Sequence, residues 1–232
     1  MTFIIAIQLN DSIIIAADTK KVVLDEYGSL QFSPEKVSKL HLWNKGIITG
    51  TGELNVITQT VELFKNIAHS DLNKIPECLN ISRQLRELEI GQDNFQVQTT
   101  KLLFSNCCTD DTQLYKVERF EKSQPYIMTA IEPMDITLWL FDPNIEAIST
   151  DLRSLYQDLK DYSCFANKVD WINYYINRIA PIYKKQSKHD FFMSQSFDIF
   201  FQTKNDYILS HIDNTHITAL EFSEITADCS ST

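Results

Sequence analysis

The chain has 232 residues, 44% of them hydrophobic and 22% charged, and its formal net charge is −10. This composition predicts one soluble globular domain over residues 1–232, with a loose polar tail at about 225–232. The acidic charge without a basic stripe excludes a nucleic-acid binder, and no apolar run approaches the roughly 20 residues of a membrane span.

The first two predicted elements form a buried hairpin. The segments "FIIAIQL" and "SIIIAA" are rich in β-branched isoleucine, and Asn10 and Asp11 supply the turn between them. Neither strand alternates between apolar and polar residues, which indicates that both of its faces are covered. We therefore predict that the chain begins inside its own core.

The later elements alternate between strands and helices. Residues 20–36 are polar and are interpreted as a loop or a ragged hairpin, followed by short strands at 36–43 and 45–52. Apolar residues spaced by three and four predict helices at 53–69 and 73–90. Further predicted elements are strands at 98–108, 112–120 and 124–132, helices at 149–163 and 168–186, and strands at 197–204 and 206–213. Such alternating blocks predict stacked sheets with helices outside.

A threonine directly follows Met1 and is a candidate nucleophile. A threonine hydroxyl needs an adjacent base, and removal of Met1 frees the α-amine of Thr2, whose reference pKa is about 7.7–8.0. Asp18 ends the second strand of the hairpin, level with Thr2. Lys36 begins the next strand, and a nearby ammonium lowers the pKa of the amine and the hydroxyl. Gly50 lies at a strand-to-helix junction, where a backbone N–H can face an oxyanion.

These residues also carry a resemblance to a known family. The segments "MTFIIAIQLNDSIIIAADT", "EKVSKL" and "GIITGTGELN" resemble the opening of a proteasome β subunit or of its bacterial relatives. In that family an aspartate follows the nucleophilic threonine after sixteen positions, which is the interval from Thr2 to Asp18. The resemblance implies an N-terminal-nucleophile (Ntn) hydrolase of the α+β class. Its expected fold is a four-layer αββα sandwich, with two stacked antiparallel sheets and helices outside.

The resemblance also implies roles for individual residues. Its catalytic set is Thr2, Asp18, Lys36, Gly50 and Asp190, with Lys36 two residues later than the family's spacing. Its substrate-binding set is Val22, Ile48 and Gly52. Val22 replaces the family's substrate-binding threonine and retains only the backbone groups, whereas Ile48 is expected to line the first specificity pocket.

Part of the supporting hydroxyl set departs from the family pattern. Met193 takes the place of a supporting serine, with Ser194 one position away, and Thr129 is the nearest hydroxyl in a segment that usually carries serine. Three functions therefore stay open. The first is a threonine peptidase acting on peptides or unfolded proteins. The others are a catalytically silent structural or regulatory ring subunit, and an amidase acting on a small non-peptide amide.

Partners and setting follow from the same observations. The helix pairs carry exposed-looking apolar residues such as Leu88, Ile90, Tyr174 and Tyr175, which predicts a homo-oligomeric ring or an open helical stack. An ATPase partner stays unknown. The five cysteines are unevenly spaced and no signal peptide is recognised, so we expect a reducing, cytoplasmic setting. The histidines show no metal-ligand spacing, so we expect no metal and no other cofactor.

Overall fold

The structure, a computed structural model, describes residues 2–24, 30–108, 111–141 and 143–215. Its strands are β1 (Ile4–Gln8), β2 (Ser12–Asp18), β3 (Lys20–Leu24), β4 (Leu30–Lys36), β5 (His41–Trp43), β6 (Gly46–Thr51), β7 (Lys101–Cys107), β8 (Thr112–Glu118), β9 (Ile127–Ala130), β10 (Asp135–Trp139), β11 (Phe197–Thr203) and β12 (Tyr207–Ile212). Its α-helices are α1 (Leu54–Asn66), α2 (Ile75–Ile90), α3 (Phe95–Gln98), α4 (Ser149–Gln157) and α5 (Lys168–Gln186). Met1 and the tail at 225–232 lie outside the described residues.

The N-terminal strand is an inner strand of its sheet. This sheet has the order β10-β1-β2-β11-β12, and Ile4 lies opposite Trp139 on one side and Ala17 on the other. All neighbouring strands in it are antiparallel. Every residue of β1 and β2 is buried, which confirms the predicted hairpin.

A second five-stranded antiparallel sheet has the order β5-β6-β7-β8-β9, and β3 pairs with β4 in a separate two-stranded sheet. The predicted architecture of two sheets in a clear four-layer αββα sandwich is therefore wrong. The segment at 20–36 is the cause, since its two halves pair only with each other within the described residues. The register shifts between Lys20 and Val22, so the ribbon is irregular.

Three apolar clusters hold these elements together. One lies between the two five-stranded sheets and includes Ile13, Ile15 and Leu103. Another joins the first sheet to α4 and α5, and Ile14 of β2 packs there. The third joins the second sheet to α1 and α2. Because β2 supplies consecutive apolar residues to clusters on both faces, it shows no alternation in sequence.

The helices differ in how they end and in what they cover. Glu53 caps α1 by accepting a hydrogen bond from the N–H of Val56 at 2.9 Å, and burial raises the pKa of its carboxyl. Gly91 ends α2 with a φ of +95°. No helix in the described ranges is both long and apolar enough to cross a membrane.

Candidate functional site

One carboxylate holds the first residues of the chain against the end of β2. Thr2 lies just before β1 and is 5% exposed, and Asp18 is fully buried. Oδ1 of Asp18 accepts a hydrogen bond from the N–H of Phe3 at 2.8 Å. Oδ2 accepts from the N–H of Lys20 at 3.0 Å and from the N–H of Ser194 at 3.4 Å. Asp18 therefore joins the N-terminal segment, the start of β3 and the loop before β11.

Lys39, and not Lys36, is the cation beside this carboxylate. Nζ of Lys39 donates to Oδ1 of Asp18 at 2.9 Å, and the two side chains are 6% and 0% exposed. The side chain of Lys36 is 58% exposed and pairs with Asp213 at 3.0 Å. The prediction that Lys36 lies beside Asp18 is therefore wrong. Burial lowers the pKa of Lys39, although the Asp18 carboxylate acts in the opposite direction.

The direction of successive side chains explains why Lys39, and not Lys36, lies beside Asp18. Lys36 ends β4 on the exposed ribbon. Beyond it, Val37, Lys39 and His41 line one cleft, whereas Leu40 packs into the cluster between the sheets. Side chains along an extended chain alternate between two faces, so residues 37, 39 and 41 share one face. This alternation was the signal in the sequence that distinguishes Lys39 from Lys36.

Hydroxyl groups support Asp18 from the loop between α5 and β11. Ser194 Oγ accepts a hydrogen bond from the N–H of Thr19 at 3.0 Å and donates to the carbonyl of Ser196 at 2.7 Å. The hydroxyls of Thr19 and Ser196 lie 2.9 Å apart. Met193, at the position where the family pattern places a serine, packs in the apolar cluster next to α5. Ser194 therefore supplies the hydroxyl one residue later.

Asp190 lies at the start of the same loop and is buried. Its Oδ1 accepts a hydrogen bond from the N–H of Phe192 at 2.7 Å, which shapes the loop. Its negative charge also raises the pKa of Lys39, so it acts on the buried ion pair. Thr129, by contrast, is exposed on β9 of the other five-stranded sheet.

A narrow cleft beside Thr2 has a free volume of about 10 Å³, which is about the space of one water molecule. Gly50 and Gly52 line it. A Cβ atom at Gly50 would lie 2.6 Å from the carbonyl oxygen of Lys101, and one at Gly52 would lie 2.5 Å from Cα of Thr100. Both positions therefore exclude a side chain, and Gly52 also has a φ of +114°.

The expected substrate-binding residues are separated in the structure. Val22 lines the cleft with Gly52, whereas Ile48 is buried in the cluster beneath α1. Ile48 therefore does not form the wall that was expected of it. Its cross-strand neighbour His41 lines the cleft instead, together with Leu54 and Ile57 at α1.

The buried tyrosine of α5 completes the surroundings of the N-terminal segment. The hydroxyl of Tyr183 donates to the carbonyl of Phe3 at 3.2 Å, and the two rings pack edge to face at 4.9 Å. Burial raises the pKa of Tyr183 well above its usual value, so it stays protonated as a donor. The site thus combines the buried Thr2, a buried ion pair and two glycines that line the same cleft. Within the described ranges, no group of three or more His, Cys, Asp or Glu side chains is arranged to hold a metal ion.

The chain shares its fold with solved structures of Anbu proteins. Three of the solved structures that match it are Anbu proteins, and their identity of 9–11% to this chain shows a common fold alone. Anbu (Gly-1) mutant from Hyphomicrobium sp. strain MC1 has a TM-score of 0.59 at 11% identity, covering 91% of this chain and 87% of its own. Anbu (ancestral beta-subunit) from Yersinia bercovieri has a TM-score of 0.60 at 10% identity, covering 91% of this chain and 88% of its own. The helical assembly of the Anbu complex from Pseudomonas aeruginosa has a TM-score of 0.63 at 9% identity, covering 93% of this chain and 88% of its own.

These comparisons correct the resemblance drawn from the sequence. Anbu proteins are proteasome-like but form a distinct family. No protein-family model matches the chain, and a search of curated proteins finds no match to its sequence. The assignment to the proteasome β-subunit family was therefore wrong.

Proposed function

We propose that the protein is a threonine-type peptidase whose nucleophile is Thr2, made the first residue by removal of Met1. The observation that carries the proposal is the buried Lys39–Asp18 pair, which lies at the cleft that Thr2 lines. Burying two charges is costly, and such pairs are frequent where a protein tunes the reactivity of a neighbouring group. Lys39 takes the role that the sequence assigned to Lys36.

Each group then has a defined task in the reaction. The hydroxyl of Thr2 attacks the scissile carbonyl, and the freed α-amine accepts the hydroxyl proton. The ammonium of Lys39 lowers the pKa of that amine and of the hydroxyl, while Asp18 orients Lys39 and balances its charge. The N–H of Gly50 stabilises the oxyanion. The amine protonates the leaving group, and water then hydrolyses the ester formed on Thr2.

The loop before β11 positions this set. Ser194 donates its backbone N–H to Asp18, and Asp190 shapes the same loop. Neither residue touches the substrate in the proposal. Their task is to keep the Asp18 carboxylate aimed at Lys39, since a site works only when a surrounding shell fixes its reactive groups.

The open edge of β3 favours a peptide as substrate. Within the described residues β3 pairs only with β4, and Val22 of β3 lines the cleft. An extended peptide adds to such an edge through main-chain hydrogen bonds, which need no side chain at Val22. A peptide or an unfolded segment fits this geometry better than a small amide does. We place the reaction in the reducing cytoplasm, in keeping with free thiols at Cys78, Cys107, Cys108 and Cys164.

We further propose that identical subunits assemble into an open helical stack. Ile81, Leu85 and Leu88 of α2 are exposed and follow the spacing of one helix face. A contiguous apolar face of this kind is usually covered in the working protein. The helical assembly of the Anbu complex from Pseudomonas aeruginosa supports this arrangement over a closed ring.

The test of the peptidase compares Thr2→Ala with Thr129→Ala, which removes an exposed hydroxyl on β9. We expect Thr2→Ala to abolish both hydrolysis of fluorogenic peptides and labelling by a threonine-directed electrophile, with an unchanged circular dichroism spectrum. Thr129→Ala should retain both. Intact mass should show that the wild-type protein lacks Met1. Undiminished turnover by Thr2→Ala would overturn the proposal.

The narrowness of the cleft favours a second candidate, a catalytically silent subunit of the assembly. A free volume of about 10 Å³ holds one water molecule and no side chain until the cleft opens. Retention of Met1 in the intact mass, together with no labelling, would support this reading. Labelling of Thr2 without cleavage of any peptide would instead support the amidase.

A further inference from the structure

The cleft beside Thr2 contains a buried polar atom that has no partner. His41 begins β5 and lines the cleft, and its Nε2 is buried without a hydrogen bond among the described residues. Buried polar atoms in folded proteins nearly always have a partner, because leaving one unpaired costs about 1–3 kcal/mol. The cleft has room for one water molecule, which can bond this atom until a ligand group displaces it.

The surroundings of His41 determine which protonation state is present. Lys21 of β3, Lys39 before β5 and Lys65 of α1 are the titratable groups that the packed elements contribute, while β6 contributes none. Burial is the main cause that lowers the pKa of His41, and the positive charge of Lys65 lowers it further. The imidazole is therefore neutral at pH 7, with one nitrogen as donor and the other as acceptor.

The charges of the cleft argue against an acidic side chain as the occupant. Lys39 is paired with Asp18 at 2.9 Å, and Lys21 is paired with Glu35 at 2.9 Å. A substrate carboxylate would have to enter a narrow cleft in which both lysines already have carboxylate partners. Desolvation of that charge would then be uncompensated. A lysine or arginine side chain would meet only like charge among the residues that line the cleft.

Once the cleft opens for a substrate, its remaining walls suit the stem of a short or medium side chain. Val22, Val37, Leu54 and Ile57 line the cleft, so its sides are aliphatic while His41 is polar. A carboxamide side chain matches this distribution, because it has an apolar stem and an uncharged polar end. Its amide group both donates and accepts, so it can bond Nε2 in either neutral tautomer of the imidazole.

We propose that His41 is the specificity residue of the cleft and selects a glutamine or asparagine side chain of the substrate through Nε2. This inference rests on the proposed peptidase function. A site that hydrogen-bonds a substrate group discriminates strongly against an analogue that lacks it, since the protein atom is then left unpaired. Against an apolar side chain of the same length, we expect a preference of at least about tenfold in kcat/KM.

The experiment measures kcat/KM on three peptides that differ at one residue, with glutamine, methionine or glutamate at the cleavage site. We expect the wild-type protein to prefer glutamine over both others. His41→Phe should lose the preference for glutamine over methionine, and His41→Gln, which keeps a hydrogen-bonding side chain, should retain part of it. Because each variant is judged by a ratio of two substrates, a general loss of activity cancels.

The outcomes separate this inference from the proposed function. Cleavage without a preference for glutamine, or with a preference for glutamate, would overturn the role of His41 and leave the peptidase intact. An unchanged ratio in His41→Phe would also overturn it. If the wild-type protein neither cleaves the peptides nor is labelled at Thr2, the peptidase itself fails and the specificity inference fails with it. If His41→Phe does not fold, the wild-type ratio and His41→Gln still decide the matter.

Discussion

Lys36 and Lys39 show how burial determines the contribution of an ion pair to the free energy of unfolding. Lys39 and Asp18 are both buried, whereas Lys36 and Asp213 are both largely exposed. Removing one partner of a buried pair leaves an uncompensated charge, which costs about 3–5 kcal/mol. An exposed pair contributes about 0–1 kcal/mol because water screens it.

We predict that Lys39→Met lowers the free energy of unfolding by about 3 kcal/mol, since three backbone N–H groups still bond Asp18. Lys36→Met should change it by no more than about 1 kcal/mol. Urea unfolding of both variants at pH 7.5 measures this. Peptide hydrolysis should fall at least about 100-fold in Lys39→Met and stay near the wild-type rate in Lys36→Met. Equal effects of the two substitutions would contradict the placement of the cation.

The imidazole of His41 makes stability depend on pH in a defined direction. Its pKa in the folded protein lies below the ordinary value of 6.5, because burial and Lys65 disfavour the charged form. As pH falls below 6.5, the unfolded chain takes up a proton that the folded protein does not. The stability contributed by neutral His41 is therefore fully present above pH 6.5 and is lost as the pH falls toward the lowered pKa.

We predict that the wild-type protein loses more stability between pH 7.5 and pH 5.5 than His41→Phe does. Phenylalanine is of similar shape and does not titrate, so other ionisable groups cancel in the comparison. Urea unfolding of both proteins at the two pH values gives the difference. The same loss in both proteins would mean that His41 binds its proton equally well in the folded and unfolded states.

The residues of the proposed site differed in how far the sequence determined their positions. The interval from Thr2 to Asp18 depends on one hairpin, so local sequence was enough to place Asp18 at the first residues. The choice between Lys36 and Lys39 depends on where the ribbon ends and on which face each side chain takes. Nothing in the sequence indicated a role for His41 beyond its alternation with Lys39. That its Nε2 has no partner among the described residues can be seen only in the folded structure, where the positions of the neighbouring atoms are known.

At the scale of elements, the turn between β6 and α1 requires glycine for two reasons. Gly52 has a φ of +114°, and a Cβ there would lie 2.5 Å from Cα of Thr100. Gly91, at the end of α2, has a φ of +95° but no atom within 4 Å of such a Cβ. Substitutions at the two glycines therefore distinguish the cost of backbone strain alone, at Gly91, from the cost of strain and steric conflict together, at Gly52.

We predict that Gly91→Ala lowers the free energy of unfolding by about 1–3 kcal/mol, the cost of the backbone conformation. Gly52→Ala should cost clearly more, because Thr100, just before β7, must also move away from the new methyl group. Thermal or urea unfolding of the two variants measures the difference. A smaller loss in Gly52→Ala than in Gly91→Ala would mean that the turn at β6 relaxes easily.

Predictions for elements succeeded where the pattern is local and failed where it is not. The hairpin, α1 and α5 each carry their own apolar pattern, and each is present. β10 was missed because it is short, follows Pro133 and is only partly buried over most of its length. It is fixed by pairing with β1, more than a hundred residues earlier in the chain. The separate pairing of β3 with β4 likewise depends on the rest of the fold, because neither five-stranded sheet of the described residues includes these two strands.

At the scale of the whole molecule, α2 presents a row of exposed apolar side chains. Leu88 is 82% exposed and Ile90 is partly exposed. The expectation that Tyr175 is exposed was wrong, because its ring is buried and its hydroxyl donates to the carbonyl of Lys160 at 2.7 Å. Burial also raises the pKa of Tyr175 well above its ordinary value, so that hydroxyl keeps its proton.

We predict that Leu88→Asp dissociates the proposed assembly, because a carboxylate on the α2 face cannot be buried against another subunit. Phe120→Asp is the control, since Phe120 is 77% exposed and lies outside α2, after β8. Sedimentation at micromolar protein should show large species for the wild type and Phe120→Asp. Leu88→Asp should sediment near 26.9 kDa. A wild-type protein of that mass would exclude the assembly.

The inner position of β1 also sets an order of events during synthesis. Thr2 is buried once its sheet is complete, yet β10 and Ser194, which close the sheet and the site around it, are made much later. The chain is made from its N-terminus, so the first residues stay accessible to a processing enzyme while most of the protein is still missing. The removal of Met1 that the proposal requires belongs to this interval. The α-amine of Thr2 would then be exposed early in synthesis, whereas the site around it would form only when the chain is complete. An unfinished chain would therefore have no working cleft.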